Sequence, residues 1–173
     1  MKYRKVLSLI VFVAAVGVFV FAQPSQVNNS TSVVEETARV IRVIDGDTVE
    51  VRLNNEKETV RLIGIDSPEV LDERRPIQCF GKEASSKARE VLTGKIIVLE
   101  PDSTQGERDK YGRLLRYVFL EDGTNFNKFM LSEGYAHEYM FKSNSYKYQS
   151  EFIQAEEIAQ GNKKGLWADN ICN

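Results

Sequence analysis

Four side chains of the kinds that act on phosphate esters are Arg61, Asp66, Glu69 and Arg113, and three of them fall within residues 61–69. A guanidinium group stays positively charged and can donate two parallel hydrogen bonds to two phosphate oxygens. Carboxylate oxygens are the ligands that hard divalent cations prefer. Any one of these arginines could equally lie on a solvated strand face, but the set predicts metal-assisted cleavage of a phosphodiester bond.

A second acidic segment, Asp-Gly-Asp-Thr at residues 45–48, lies between two stretches with a β pattern. Taken alone it is a common hairpin turn, and Asp-Ser-Pro at residues 66–68 is likewise a common turn or helix entry. In a strand meander, however, the turn after the first strand and the end of the third can reach the same barrel rim. We therefore expect Asp47 near Asp66, in an oxygen-rich shell that suits Ca²⁺ better than Zn²⁺.

The elements that must position these residues follow from hydrophobic periodicity and turn signals. Ala84, Ala88 and Leu92 lie on one face of a predicted helix, and Gly94 follows its end. Five strands with a helix between the third and the fourth is the order of an OB-type barrel, so we predict an α+β fold, mainly β, with two C-terminal helices. The predicted strands cover residues 39–44, 48–53, 58–63, 95–100 and 113–120, and the predicted helices cover residues 82–92, 126–132 and 146–160.

Residues 1–22 have the pattern of a secretory signal peptide: three basic side chains, then an uncharged and largely apolar run over residues 6–22 that ends in Ala22. The run is just long enough to span a bilayer, so an uncleaved anchor tethering the protein to a membrane is a second interpretation. Residues 23–36 are polar and turn-rich and predict a flexible linker, which leaves residues 37–173 as one domain. We expect a secreted or cell-envelope protein.

The net charge limits how this domain can bind a polyanion. The chain of 173 residues has a formal net charge of −2, and removing residues 1–22, with three positive charges and no negative ones, leaves −5. A net acidic protein is a poor non-specific binder of nucleic acid. Contact with nucleic acid must therefore come from a few arginines and lysines around a metal, which disfavours a module that binds without catalysis.

The cysteines are Cys79 and Cys172. Export to an oxidising compartment favours a disulfide between them, and the alternative is two unpaired thiols in a reducing compartment. Two cysteines and the one histidine, His137, are too few for a zinc cluster. His137 is also the only candidate for histidine-based hydrolysis, and we expect it to be a surface or packing residue instead.

The ordered motifs resemble the staphylococcal nuclease (thermonuclease) family. The resemblance spans residues 38–170 and implies an OB-fold, Ca²⁺-dependent phosphodiesterase that cleaves single- and double-stranded DNA and RNA with little sequence preference. It also implies products that end in a 3′-phosphate, one Ca²⁺ ion, a monomer and no obligate protein partner. The motifs that carry it are residues 43–49, 60–69, 81–84, 109–113 and 165–167.

The resemblance also implies a role for each matching residue. Arg61 and Arg113 would bind the phosphate, and Glu69 would be the general base that holds the attacking water. The implied metal ligands are the side chains of Asp47 and Asp66 and the carbonyl oxygen of Ser67, supported by Asp45 and Thr48.

Further matches concern substrate binding. Lys110 and Tyr111 match positions that contact a terminal phosphate, and Tyr139 matches a substrate-facing aromatic residue. Phe141 stands where a second tyrosine is usual, and both Tyr139 and Phe141 could instead pack into the C-terminal region. The longer loop over residues 71–78, with Glu73, Arg74 and Arg75, either shapes substrate access or is only solvated. The alternative function is a non-catalytic nuclease-like module that binds nucleic acid or protein.

Overall fold

Five strands close into a barrel in the computed structural model, which describes residues 35–70 and 78–172. The barrel strands are β1 (Glu36–Val43), β2 (Thr48–Leu53), β3 (Glu56–Leu62), β5 (Ile96–Glu100) and β6 (Leu114–Phe119). The remaining elements are the short strands β4 (Ile65–Asp66) and β7 (His137–Glu138), the helices α1 (Gly81–Leu92), α2 (Phe126–Ser132) and α3 (Gln149–Gly161), and 3₁₀ turns at Phe141–Ser143 and Gly165–Trp167.

The strand order around the barrel is β1-β2-β3-β6-β5, and β5 pairs with β1 to close it. All neighbouring strands are antiparallel except β3 and β6, which are parallel. Helix α1 lies between the third and fourth barrel strands in sequence, and α2 and α3 follow the barrel. The predicted fold class and element order are therefore confirmed.

The turn between β2 and β3 sets the register of the strands beneath the site. Asn54 and Asn55 have positive φ angles of 51° and 68°, which is the backbone of a type I′ hairpin turn. Leu53 and Glu56 face each other across this turn, and the same register pairs Thr48 with Arg61. Arg61 therefore lies beside the turn that carries the Asp-Gly-Asp-Thr segment.

Apolar side chains of the barrel and the helices share one core. On α1 the buried positions Ala84, Ala88 and Leu92 recur every four residues, and this face packs against β1. Phe126 on α2 and Phe152 on α3 are fully buried where these two helices meet. Burying each phenyl ring contributes about 1.5–3 kcal/mol, so the helices hold the barrel wall in a fixed shape.

A small second sheet was not foreseen from the sequence. Strands β4 and β7 pair antiparallel, with Asp66 opposite His137. The amide N–H of Tyr139 extends the pairing by donating to the carbonyl oxygen of Gly64, at 3.1 Å. Strands of two residues have no periodicity to detect, yet this pairing fixes the main chain at Asp66.

The N-terminal boundary differs slightly from the predicted one. Strand β1 begins at Glu36, the last residue of the predicted linker, because Glu36 pairs with Leu99 on β5. The predicted signal peptide and the linker up to residue 34 lie outside the described residues. Within the described ranges, no helix is long and apolar enough to cross a membrane.

The third helix begins at Gln149, whereas the sequence predicted a start at residue 146. The two residues at the predicted start are held by contacts with other segments of the chain. The hydroxyl of Tyr146 donates to the Glu138 carboxylate at 2.6 Å, and the amide of Lys147 donates to Asp102 at 2.8 Å.

Asp102 is a buried carboxylate that links the barrel to the segment before α3. Its Oδ2 accepts hydrogen bonds from the Tyr117 hydroxyl at 2.7 Å and from the Lys147 amide at 2.8 Å, and its Oδ1 accepts from the amide and hydroxyl of Thr104. Burial opposes ionisation, but these hydrogen bonds outweigh it, so the pKa of Asp102 lies below its usual value. Asp102 is therefore an anion that the fold stabilises.

We predict that Asp102→Ala lowers the free energy of unfolding by about 2–4 kcal/mol at neutral pH, since it leaves the Tyr117 hydroxyl and the Lys147 amide without their acceptor. A carboxyl with a lowered pKa in the folded state stabilises the protein above its unfolded-state pKa of about 4, and this contribution is lost as the pH falls through the lower folded-state pKa. The difference from wild type should therefore shrink in acid. Urea unfolding across pH measures it.

Asp169→Ala is the matched control for this prediction, because Asp169 pairs with Lys163 on the surface and both side chains are more than 60% exposed. Its loss should cost less than about 1 kcal/mol. Equal costs for the two variants, or a cost for Asp102→Ala that does not depend on pH, would contradict the role of Asp102.

Candidate active site

The turn after β1 presents Asp47 to the segment that follows β4. Asp47 is 3% exposed. Its Oδ1 accepts from the Thr48 hydroxyl at 2.9 Å, and its Oδ2 accepts from the Ser67 amide at 2.7 Å. A Cβ on Gly46 would lie 2.7 Å from the Ser67 Cβ, so only glycine lets the two segments approach this closely. The buried carboxylate of Asp47 thus joins two sequence segments.

Arg61 lies between the two aspartates that the sequence predicted to converge. One guanidinium nitrogen, Nη2, is 3.2 Å from Asp47 Oδ2 and 2.9 Å from Asp66 Oδ1. The other, Nη1, donates to the main-chain carbonyls of Leu62 at 2.8 Å and Ile65 at 2.7 Å. The carboxylates of Asp47 and Asp66 therefore face one point from two sides, and the arginine is held by the bend between β3 and β4.

Negative charge accumulates around this point and is only partly compensated. Burial, followed by the charge of Asp47, raises the pKa of Asp45 to about 7. Burial also raises the pKa of Asp66, against the opposing effect of Arg61. Burial and the charges of Asp47 and Asp66 raise the pKa of Glu69. Nearby carboxylates thus disfavour the ionisation of Asp45, Asp66 and Glu69, a repulsion that a bound cation would relieve.

These residues fit a hard divalent cation. The candidate donors are all oxygen atoms, and two carboxylates already share one positively charged partner, the Nη2 of Arg61. Among the described residues, no three acidic, histidine or cysteine side chains form a complete metal cage. Such an ion would therefore be held by Asp47 and Asp66 together with a main-chain carbonyl and water, as Ca²⁺ and Mg²⁺ allow.

Arg113 reaches the same end of the barrel from the neighbouring strand. Because β3 and β6 run parallel, with Arg61 opposite Leu115, Arg113 immediately precedes β6 at the same end of the barrel as Arg61. Its Nε donates to Asp109 Oδ2 at 2.7 Å. Its Nη1 lies 3.5 Å from the Thr48 hydroxyl, a weak contact. Asp109 was not foreseen as a functional residue, although its spacing of four from Arg113 and its place before a Tyr-Gly turn are visible in the sequence.

Glu69 lies on the exposed side of this cluster. The charges of Asp47 and Asp66 raise the pKa of its carboxyl, and those of Arg61 and Arg113 lower it. The Glu69 side chain is thus in the electrostatic field of every charged group assigned to the site. The structure brings together all five of the residues Asp47, Arg61, Asp66, Glu69 and Arg113, whose roles remain predictions.

Exposed aromatic side chains lie beside Arg113 and in the segment that follows β7. Tyr111 is 72% exposed, with Lys110 Nζ 4.8 Å and Arg113 Cζ 5.5 Å from its ring centre. Tyr139 and Phe141 are 43% and 49% exposed, so neither is packed into the C-terminal core. All three rings are therefore accessible to a ligand.

The remaining predicted residues lie around the site rather than in it. Cys79 and Cys172 form a disulfide, and neither is a free thiol. His137 lies edge-on to Trp167, with ring centres 4.9 Å apart, and its Nδ1 is 3.5 Å from Glu156. Residues 71–77, with Glu73, Arg74 and Arg75, lie outside the described residues, so the interpretations of that loop stay predictions.

The barrel and the convergent carboxylates and arginines define an OB-fold protein with a site suited to a cation and a phosphate group. The family model described as staphylococcal nuclease homologue matches residues 59–169. The chain is 42% identical over 135 residues to the thermonuclease of Staphylococcus hyicus, an alignment that covers 78% of each chain. The chain belongs to the staphylococcal nuclease family.

Two further relatives agree with this assignment. The thermonuclease of Staphylococcus intermedius is 40% identical over 139 residues, which cover 80% of each chain. The endonuclease YncB of Bacillus subtilis is 38% identical over 128 residues, which cover 73% of this chain and 59% of that protein.

We predict that Ca²⁺ raises the melting temperature of the protein, because an ion that binds only the folded state stabilises it by mass action. At 100 times the dissociation constant the gain is about 2.7 kcal/mol, or about 5–10 °C for a domain of this size. Asp66→Asn should remove most of this shift, since it deletes one anionic ligand from a half-exposed position. Thermal unfolding in CaCl₂ and in chelator measures the shift.

Asp169→Asn changes the net charge equally at a distant surface ion pair and should keep the full Ca²⁺-dependent shift. If Asp66→Asn responds to Ca²⁺ as strongly as wild type does, the cation is not bound at this cluster.

Proposed function

We propose that the protein is an exported, Ca²⁺-dependent nuclease that hydrolyses phosphodiester bonds of DNA and RNA without sugar specificity and leaves 3′-phosphate ends. The observation that carries the proposal is the convergence of two arginines and the carboxylates of Asp47, Asp66 and Glu69 at one barrel rim. Family membership and relatives named thermonuclease and endonuclease support it.

Arg61 and Arg113 bind the scissile phosphate in this proposal. Neither guanidinium can lose its charge. Arg113 can donate two hydrogen bonds to phosphate oxygens, whereas the Nη2 of Arg61 must exchange its contacts with Asp47 and Asp66 for a bond to phosphate. Hydrolysis adds negative charge to the phosphorus oxygens, so fixed cations at that place stabilise the transition state more than the substrate. Asp109 orients Arg113 through its Nε and leaves the other guanidinium nitrogens for the phosphate.

Glu69 takes a proton from the attacking water. Its carboxylate lies in the field of both arginines and both aspartates, where it can accept a proton from water held beside the phosphate. Asp47 and Asp66, with the carbonyl oxygen of Ser67, hold the cation. A cation bound there would supply positive charge to offset that of the phosphate and would help to orient the water.

Substrate binding uses the exposed rim. Tyr111 and Tyr139 offer ring faces on which bases can stack, an interaction worth about 1–3 kcal/mol per base and independent of sequence. Lys110 lies over the Tyr111 ring and adds positive charge for a phosphate. With a net charge of −5 once residues 1–22 are removed, the domain depends on these local contacts. Export rests on the signal pattern of residues 1–22.

We predict that Glu69→Ser lowers the turnover of plasmid DNA by about 10²–10⁴-fold through loss of the base. Arg113→Ala should lower it by about 10²–10³-fold, as loss of a transition-state donor does. Arg113→Lys should recover only part of this loss, because lysine keeps the charge and lacks the two-nitrogen fork. Initial rates of plasmid and RNA cleavage in CaCl₂, with folding checked by circular dichroism, measure these effects.

Chelator provides the control for these assays, since the wild-type protein should lose activity in EGTA and regain it with added Ca²⁺. Near-normal rates in folded Glu69→Ser or Arg113→Ala would refute the assigned roles. Binding of DNA with no cleavage in Ca²⁺ by wild type would instead identify a non-catalytic nuclease-like module.

A further inference from the structure

Within the part of the chain that the structure describes, the main chain of Glu69 is hydrogen-bonded to Gln78. The Glu69 amide donates to the side-chain Oε1 of Gln78 at 2.8 Å. The Gln78 amide donates in return to the Glu69 carbonyl at 3.1 Å. Both polar groups of the Glu69 main chain are thus paired with Gln78, so the position of Gln78 determines where the Glu69 side chain begins.

The start of α1 packs against the same segment. The Gly81 amide donates to the Gln78 carbonyl at 3.0 Å. A Cβ on Gly81 would lie 2.9 Å from the Glu69 carbonyl oxygen and 3.0 Å from that of Pro68. The start of α1 therefore lies directly against the main chain of Pro68 and Glu69. Because Gln78 is bonded to Glu69, a shift of Gln78 relative to α1 would move Glu69 as well.

Gln78 is followed by Cys79, which is covalently joined to Cys172 near the C-terminus. The C-terminal segment is fixed at its other end, where the Leu166 amide donates to the Gly134 carbonyl at 2.8 Å and Trp167 contacts His137. His137 in turn pairs with Asp66. A series of contacts therefore links Asp66 to Glu69. It passes through His137, Trp167, the disulfide and Gln78.

The space inside this ring of contacts is a cavity of about 430 Å³, lined by residues of β4, β7, the C-terminal segment and the disulfide. Side chains that do not meet across a cavity cannot hold its walls at a fixed distance by packing. The covalent bond between Cys79 and Cys172 joins the Gln78 wall directly to the C-terminal wall.

We propose that Gln78 is a positioning residue for Glu69 and that the Cys79–Cys172 disulfide holds Gln78 in place, so that the catalytic rate depends on the oxidation state of the protein. This inference rests on the proposed role of Glu69. Both cysteine residues are exposed, so a dithiol can reach the bond. It delivers two electrons and two protons, the S–S bond breaks to two thiols, and the dithiol becomes a disulfide.

A structural role and a positioning role predict different results. A disulfide that only stabilises the fold lowers the melting temperature and leaves kcat unchanged while the protein is folded. A disulfide that positions Glu69 lowers kcat in the folded protein, because small displacements of a reacting group are costly. Substrate KM and Ca²⁺ affinity should change little, since Arg61, Arg113, Asp47 and Asp66 are held by other contacts.

The first test replaces the acceptor of Gln78 in the oxidised protein. Gln78→Met keeps the length of the side chain and removes the oxygen, and we expect kcat to fall about 10- to 100-fold with KM unchanged. Gln78→Glu keeps an acceptor oxygen and should restore most of the rate. Gln160→Met makes the same exchange at an exposed position on α3 and should leave kcat unchanged.

The second test removes the covalent link. Wild type treated with dithiothreitol, and the Cys79→Ser/Cys172→Ser variant, should show the same loss of kcat at a temperature where near-UV circular dichroism reports a folded protein. Reoxidation should restore the rate of wild type alone. Wild-type kcat in Gln78→Met and in the folded, reduced protein would overturn this inference. Absence of Ca²⁺-dependent cleavage by oxidised wild type would overturn the proposed function instead.

Discussion

The contact between Arg61 and the carboxylates of Asp47 and Asp66 organises one end of this barrel. Two carboxylates that face the same point repel each other. Without a cation between them they would move apart or take up a proton. Arg61 holds them together with one nitrogen, while its other nitrogen is fixed by the carbonyls of Leu62 and Ile65. The site therefore keeps two anionic groups around one point, ready to be shared between a guanidinium and a divalent cation.

The barrel topology makes this arrangement available. The register of the β2–β3 hairpin sets Arg61 beside the Asp47 turn, and the parallel pairing of β3 and β6 brings Arg113 to the same end. The two-residue pairing of β4 with β7 places Asp66 across from His137. Three independent strand pairings thus converge on one site, while the buried core beneath them fixes their separation. Electrostatic groups fixed in advance in this way need no reorganisation when substrate binds.

Much of this was visible in the sequence, for identifiable physical reasons. The Asn54-Asn55 turn, the alternation along β1 to β3 and the apolar face of α1 are local signals, and local signals predict local structure. Five charged site residues could be identified because their types and their motifs suit chemistry on a phosphate. They are Asp47, Arg61, Asp66, Glu69 and Arg113. The approach of Arg61 to the Asp47 turn follows from the β2–β3 register that the Asn54-Asn55 turn sets, whereas Arg113 and Asp66 depend on pairings between distant segments.

The features that were missed depend on contacts between distant segments. Strands β4 and β7 have two residues each and no period, so only the folded chain reveals that Asp66 pairs with His137. Gln78 has no local signal, because its importance comes from facing Glu69 across the base of a loop. The start of α3 at Gln149 follows two residues, Tyr146 and Lys147, that bond to Glu138 and Asp102, and no local pattern reveals these distant partners.

Calorimetric titration of Ca²⁺ into wild type and Arg61→Gln tests most directly whether Asp47 and Asp66 serve both the arginine and the cation. Phosphodiester hydrolysis is measured on the same samples. If one pair of carboxylates serves both the arginine and the cation, removing the arginine removes a competitor, so Ca²⁺ should bind more tightly while hydrolysis is lost. Unchanged or weaker Ca²⁺ binding by a folded Arg61→Gln protein that still cleaves its substrate would contradict the account.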